Sequence, residues 1–361
     1  MIPLIVDLEM EWRGGQNQAF LLLKGLYERG HAAELLSAHR SSLSHRAKKE
    51  GIYVHSVSRG KFRLAAAAKI RSLLADGRIE LVHANEAHGL TASWMALSKR
   101  NPPLVVSRRV GFPLKSGWLA QARYRRADAI LANSQWVAEQ AAASGAPKEK
   151  LRVVYEGVEI PAIPTDAVRA VARKKWSLNE KDIVLGCVGT LERDKGHEWV
   201  IRALAELGTE FPNCKLLIAG EGKYRGELAA LAKQLSCEDR VTFAGFVKGI
   251  ATVYEAIDIF AFPSLFEGLG TSLLSAMSYG VPSITFFGCA LGEIVENGVS
   301  GIQVEAKNAG AIAEAVRQIL RERGLAKKLG EAGRARIEER FSADKMVENT
   351  LAVYEELIAR A

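Results

Sequence analysis

Short apolar runs alternate with helix-length segments along almost the whole chain, and this alternation restricts the fold more than any other feature. Brief apolar runs bounded by turn residues are what strands buried on both faces require, which is their situation in a parallel sheet covered by helices. The first set lies at residues 2–8, 32–37, 53–57, 81–84, 104–107, 129–132 and 152–155. A break follows at Glu156-Gly-Val-Glu-Ile-Pro-Ala-Ile-Pro164, where two prolines and a glycine give the composition of a linker. The second set lies at residues 183–188, 215–219, 241–243, 257–262, 283–286 and 301–304. The expected fold class is therefore α/β, with two parallel-sheet domains. The 361 residues agree with the usual size of roughly 150 per domain.

Charge is divided unevenly between the halves. Residues 1–160 carry 24 Lys and Arg against 14 Asp and Glu, or +10; the remainder carries 25 against 27, or −2, which together give the +8 of the whole chain. The basic clusters are Arg59, Lys61, Arg63, Lys69, Arg71 and Arg78 around an apolar helix, and Lys115, Arg123, Arg125 and Arg126 beside Trp118 and Tyr124. Both read as basic amphipathic surfaces, either solvated helix faces or surfaces for anionic lipid headgroups or an acidic acceptor. No nucleic-acid-binding module is visible, so a nucleic acid partner is not expected. Cys187, Cys214, Cys237 and Cys289 lie far apart without Cys-x-x-Cys spacing, which predicts reduced structural thiols and no zinc site. The N-terminus runs into an apolar strand without a basic leader, and no apolar run reaches the roughly 18 residues of a membrane helix. A cytoplasmic protein is expected, peripheral on the inner face of the membrane if the basic surfaces bind lipid.

The densest chemistry lies between the strand ending at Phe262 and Pro282. Leu273 to Tyr279 has apolar residues at helical spacing, so Glu267 to Thr271 is expected to form a strand-to-helix turn. In open parallel sheets such turns line the ligand crevice, and a helix N-terminus there attracts phosphate through its unsatisfied N–H groups and its dipole. Gly268 and Gly270 allow close backbone approach, while the Glu267 carboxylate can accept from two neighbouring sugar hydroxyls. The turn resembles the signature of glycosyltransferase family 4, through Pro263-Ser264, Glu267-Gly268-Leu269-Gly270 and Ala276-Met277-Ser278-Tyr279-Gly280-Val281-Pro282. The family pattern repeats an acidic residue eight positions after the first, where this chain has Ser275. A hydroxyl there offers a single hydrogen bond to ribose where a carboxylate would bridge two hydroxyls.

The resemblance spans nearly the whole chain and implies a GT-B fold, two Rossmann-like domains facing each other across a cleft. Residues 1–158 would form the acceptor domain, to which the last helix at about 343–361 returns, and residues 159–342 the donor domain. In the acceptor domain the family's Gly-Gly pair falls on Gly14 and Gly15, before a helix expected from about Asn17; Gly15 would face the diphosphate and Gly14 the acceptor. His83, Glu86 and His88 follow strand four, and there His83 and Glu86 would contact the acceptor. A metal-site reading of this group carries little weight, because a strand-end turn does not hold the two imidazoles and the carboxylate in one ligand geometry. Many members have Thr-x-His where this chain has Ser107-Arg108-Arg109; Arg108 is expected to bind an acidic acceptor and Arg109 to help neutralise the leaving diphosphate.

In the donor domain, Val188-Gly-Thr-Leu-Glu-Arg-Asp-Lys-Gly-His197 matches the family's Gly-x-Leu...Lys-Gly segment. Lys195 falls on the lysine that grips the diphosphate, and Arg193 is assigned as the second cation because Thr190 stands where members often have arginine. Gly189, Thr190, Gly268, Leu269, Gly270, Thr271 and Ser275 complete the donor site, with the backbone at Phe246 and Val247 near the base. Glu267, Lys195, Arg193 and Arg109 are the expected catalytic set. No Asp-x-Asp stands at a strand end, so no metal or other cofactor is expected. Gly220-Glu-Gly222 is followed by Gly226, which breaks the dinucleotide fingerprint. The resemblance implies a retaining transferase using a UDP- or GDP-sugar and a glycolipid or polysaccharide acceptor. An epimerase of the same fold and a non-catalytic nucleotide-sugar-binding protein remain open.

Overall fold

The computed structural model describes residues 1–58, 62–98 and 102–360, the Phe62 side chain excepted. The chain forms two compact units, Met1–Gly157 with Ser342–Ala361, and Val158–Phe341. The first holds strands β1 (Pro3–Asp7), β2 (Glu34–Ala38), β3 (Tyr53–Val57), β4 (Leu81–Ala84), β5 (Leu104–Arg108), β6 (Ala129–Ala132) and β7 (Leu151–Val153). They pair in parallel in the order β3-β2-β1-β4-β5-β6-β7. The order reverses where β1 meets β4, with Val6 opposite Ala84, and this switch point is where an open α/β sheet leaves a crevice at the carboxyl ends of its strands.

Alternation along β1 shows how the sheet divides its core. Leu4 and Val6 join Val82 and Val106 on one face, while Ile5 joins Leu35, Leu81 and Val105 on the other. All five residues of β1 are buried, so the run is apolar throughout except for Asp7 at its carboxyl end. The second face is closed by the helix Gly14–Glu28 and the C-terminal helix Ala343–Ile358, whose Val347, Leu351, Tyr354 and Leu357 lie in the same cluster.

The second unit holds β8 (Ile183–Val188), β9 (Cys214–Ala219), β10 (Val241–Gly245), β11 (Ile259–Phe262), β12 (Ser283–Phe286) and β13 (Ile302–Val304). These are also parallel, in the order β10-β9-β8-β11-β12-β13, and the switch point lies between β8 and β11. Leu185, Cys187, Leu216, Ile218, Ile259 and Ala261 face one cluster completed by the helices His197–Glu206 and Ala309–Arg321.

Two expected boundaries move for identifiable reasons. The first helix starts at Gly14 and not near Asn17, because the Asn17 N–H already bonds the Arg13 carbonyl at 3.0 Å. The strand expected from residue 257 begins at Ile259, since the Asp258 carboxylate is held by Arg169, Arg173 and the Val184 N–H. Among the described residues no helix is long and apolar enough to cross a membrane.

Candidate active site

At the carboxyl end of the first sheet, a buried polar chain ties five segments together. The Asp7 carboxylate accepts from Gln16 Nε2 at 3.0 Å and from Asn85 Nδ2 at 2.6 Å, and burial raises its pKa against these bonds. The same Asn85 amide donates to the Gly15 carbonyl at 3.2 Å. Arg109 donates to the Asn85 carbonyl at 2.6 Å and to Asn85 Oδ1 at 2.7 Å, while its Nε meets Glu156 Oε1 at 2.9 Å. Gly14 and Gly15 thus form the first turn of their helix and not a loop before it, and the turn is tied to β1 and β4 through side chains. The N-cap residue Arg13 makes no side-chain cap bond, so the N–H groups of this turn are open to an anion.

Four residues of this region differ from expectation. His83, expected to touch an acceptor, is 1% exposed; Nδ1 is bonded to the Tyr354 hydroxyl and Nε2 to Ser107 Oγ at 2.7 Å. Neither nitrogen is left for a ligand, and burial together with the neighbouring Arg109 pushes its pKa down to about 3. Arg109 spends Nε and one proton of each terminal nitrogen on the protein, so its guanidinium organises the sheet end before it meets any phosphate. Arg108 turns to the Phe112 carbonyl and the Tyr124 hydroxyl. Glu86 is the N-cap of the helix Ala87–Ala96, accepting from the N–H groups of Leu8, His88 and Gly89; burial, reinforced by Asp7, raises its pKa to about 7.

The ligand atoms of Glu9, Glu86 and His88 lie within 4.8 Å of one another. The donor set suits a cation poorly, because Glu86 is occupied as a cap and His88 Nδ1 accepts from Arg63 Nε at 3.0 Å. The neutral ring then carries its proton on Nε2, the atom that faces Glu9.

In the second unit the switch point between β8 and β11 brings two distant segments together. Lys195 Nζ lies 2.7 Å from Glu267 Oε1 and 3.4 Å from the Phe266 carbonyl. Their turns are stitched by Leu265 N–H to the Asp194 carbonyl at 2.7 Å. Gly196 separates the short turn Arg193–Lys195 from the helix His197–Glu206 with φ 69°, and a Cβ there would fall 2.1 Å from the Pro263 carbonyl oxygen. Only glycine lets the two turns approach so closely. Gly270, with φ 106°, caps the helix Thr271–Ser278 in the same way without a side-chain bond. The N–H groups of Thr271 and Ser272 at that end have no carbonyl of a preceding turn to meet.

Arg193, expected to be the second cation, points elsewhere: its guanidinium meets Glu227 at 2.6 Å and lies over the Tyr224 ring, with the side chain 74% exposed. Thr190 is exposed and Gly189 half-buried at the end of β8; Ser275 is half-buried on the Thr271–Ser278 helix, and Leu269 is buried. Phe246 is exposed, and its N–H donates to Glu221 Oε1 at 3.3 Å. Val247 is half-buried beside it.

A family model described as "Glycosyl transferases group 1" matches residues 168–336, and "Glycosyltransferase Family 4" matches residues 12–160. The chain belongs to glycosyltransferase family 4. An uncharacterized glycosyltransferase of Methanocaldococcus jannaschii is 31% identical over 58% of this chain and 54% of its own length. The GDP-mannose-dependent alpha-(1-6)-phosphatidylinositol monomannoside mannosyltransferase of Mycobacterium tuberculosis is 30% identical over 57% of this chain and 56% of its own. The matched part thus spans about half the length of these curated relatives. Among solved structures, Anabaena HepE in complex with UDP and glucose superposes with a TM-score of 0.85 at 21% identity, covering 99% of this chain and 100% of that one. The fold is GT-B.

Several residues of this family 4 chain escaped the sequence reading. His197 is buried, with Nδ1 2.9 Å from Cys187 Sγ and Nε2 3.1 Å from the Thr190 carbonyl. Burial lowers its pKa to about 4 and raises that of the Cys187 thiol. The neutral ring donates from Nε2 to the Thr190 carbonyl and accepts a hydrogen bond from the Cys187 thiol at Nδ1, which fixes the turn after β8. Asp7, Gln16, Asn85 and Glu156 were also missed. Asp7 alone carried a signal, as the acidic end of an otherwise apolar strand.

Proposed function

We propose that this chain is a retaining, metal-independent glycosyltransferase that moves a sugar from a UDP- or GDP-sugar to a glycolipid or polysaccharide precursor at the cytoplasmic membrane face. The observation that carries the reading is the Lys195–Glu267 pair at the switch point of the second sheet. The lysine has capacity for a third partner such as a phosphate oxygen, and the carboxylate has a second oxygen for sugar hydroxyls. Next to them the N-terminus of the helix Thr271–Ser278 favours negative charge. A diphosphate leaving group needs this arrangement, because negative charge grows on its β-phosphate as the sugar departs.

In this reading the acceptor hydroxyl attacks the anomeric carbon on the face from which the diphosphate leaves. The new carbon–oxygen bond forms as the bond to the β-phosphate oxygen breaks, and that oxygen takes the acceptor proton. Lys195 holds the departing phosphate, Glu267 fixes the sugar, and Ser275 offers one hydrogen bond to ribose. The UDP-bound neighbour and the GDP-mannose-dependent relative support a nucleotide-sugar donor. The phosphatidylinositol mannoside named for that relative supports a lipid-linked acceptor.

The test is thermal stabilisation by a panel of UDP- and GDP-sugars, followed by transfer assays with and without exhaustive chelation. The anomeric configuration of the product is read by NMR. Stabilisation by an intact donor, retained configuration and activity surviving EDTA are expected. Inversion, or a collapse of rate restored by Mg²⁺ or Mn²⁺, would contradict the mechanism.

A further inference from the structure

Between Glu86 and Asp128 the chain contains no acidic residue: positions 87–127 hold Lys99, Arg100, Arg108, Arg109, Lys115, Arg123, Arg125 and Arg126. The same stretch carries the densest group of exposed large apolar side chains in the first unit. Val110 is 43% exposed, Phe112 59%, Trp118 71% and Leu119 46%. The helix Trp118–Arg126 buries only Ala120. A nine-residue helix with so little packing gains little from the fold that carries it, since short helices depend on a buried face. Trp118 and Leu119 open its first turn, and Lys115 is exposed just before it.

Among the described residues, most of the cations around these side chains meet neutral oxygens and not carboxylates. Arg123 bonds the Leu119 carbonyl and Thr91 Oγ1, Arg125 bonds Gln121 Oε1, and Arg108 bonds the Phe112 carbonyl, all neutral oxygens. Arg126 meets Asp128 at 3.3 Å. We propose that residues 110–126 form a docking surface for an anionic lipid bilayer, with Phe112, Trp118 and Leu119 entering the headgroup boundary and Lys115, Arg123 and Arg125 meeting lipid phosphates. A polyanion in solution would use the charge but leave the aromatic and aliphatic side chains exposed; a bilayer boundary uses both.

The other basic cluster is the weaker candidate. The helix Phe62–Ala75 packs along the helix Ala87–Ala96, Arg63 donates to His88, and Arg71 donates to the Met95 carbonyl. Arg59 and Lys61 lie outside the described residues. The proposal rests on the transferase reading only for its purpose, which is to bring a lipid-linked acceptor to the enzyme; docking itself is measured without turnover.

The experiment is co-sedimentation of the full chain with vesicles of phosphatidylcholine alone or mixed with phosphatidylglycerol, over a range of salt. Binding should need the anionic lipid and weaken with salt. Phe112→Ser with Trp118→Ser, both exposed and outside the core, should lower partitioning by at least about tenfold. Lys115→Ser with Arg125→Ser should lower it about fivefold for each cation removed. Lys69→Ser with Arg71→Ser should change it less. Donor hydrolysis is followed in parallel and should persist in all variants, so a failure of docking is distinguishable from a failure of the transferase reading. Equal binding to both vesicle types, no binding, a larger loss in the Lys69/Arg71 variant, or an unchanged aromatic variant would overturn the proposal.

Discussion

The two sheet ends treat their charged groups in opposite ways. In the first unit, Asp7, Gln16, Asn85, Arg109 and Glu156 bond one another across β1, β4 and β5, and the Arg109 and Glu156 side chains are 19% and 9% exposed. In the second, Lys195 and Glu267 form a pair at 2.7 Å in which each keeps hydrogen-bonding capacity for another partner. The difference separates scaffold from chemistry. A satisfied buried network specifies one arrangement and resists change, whereas a pair with hydrogen-bonding capacity to spare can exchange its internal bond for a ligand.

Removing the exchangeable pair tests that contrast most severely. Lys195→Ala is expected to lower kcat/KM by roughly a hundredfold, the usual scale for a preorganised group at a developing charge, with an unchanged unfolding midpoint. Steady-state kinetics and urea denaturation on the same preparation check both halves. Near wild-type turnover would remove the lysine from the diphosphate site.

Arg109→Ala should do the reverse. It removes the guanidinium that bonds Glu156 and Asn85 at this sheet end, and the expected cost is about 3 kcal/mol of stability, read as a lower denaturation midpoint. Any activity loss should follow the folded fraction. A stable Arg109→Ala protein with greatly reduced turnover would move Arg109 from the scaffold to the catalytic set.

A smaller effect concerns pH. Glu86 loses its proton near 4.5 in the unfolded chain but near 7 when folded. Between these values the native state binds the extra proton, so the Glu86 contribution to stability is lost as pH rises from about 4.5 to about 7 and is constant above. Glu86→Gln, measured by denaturation at both ends of that window, should remove a pH-dependent term on the order of 1 to 3 kcal/mol. A pH profile identical to wild type would mean that Glu86 is ionised throughout. The smallest expected change is in Arg193→Ala, a few-fold at most in kcat/KM, because this side chain is paired with Glu227 in solvent.

The parts of the molecule legible in its sequence are those set by local rules. The strands were readable because a buried parallel strand needs a mostly apolar run; Glu267 was readable because it stands in a glycine-bearing turn after such a run, and Lys195 because its segment resembles the family's Lys-Gly turn. Their mutual bond was not, since it spans 72 positions and depends on β8 lying beside β11. The same limit hid the Asp7–Asn85–Arg109–Glu156 chain and turned His83 and Arg193 away from their expected partners. His197 was invisible for a related reason: a histidine at a helix start gives no sign that a cysteine ten residues earlier will share its proton. The start of the first helix was misjudged because two glycines read as a loop until the Arg13 carbonyl is seen to accept from Asn17.

The central claim is that the second unit reads a nucleotide-sugar by dividing the work, with Lys195 and the helix N-terminus on phosphate and Glu267 on sugar. Calorimetric titration of UDP, GDP and the corresponding intact sugar nucleotides into wild type and Glu267→Ala tests it most directly. The account predicts that Glu267→Ala keeps its affinity for the free nucleoside diphosphate within a few-fold while losing at least about tenfold for the intact donor and its discrimination among sugars. Equal loss for the diphosphate and the intact donor would contradict it.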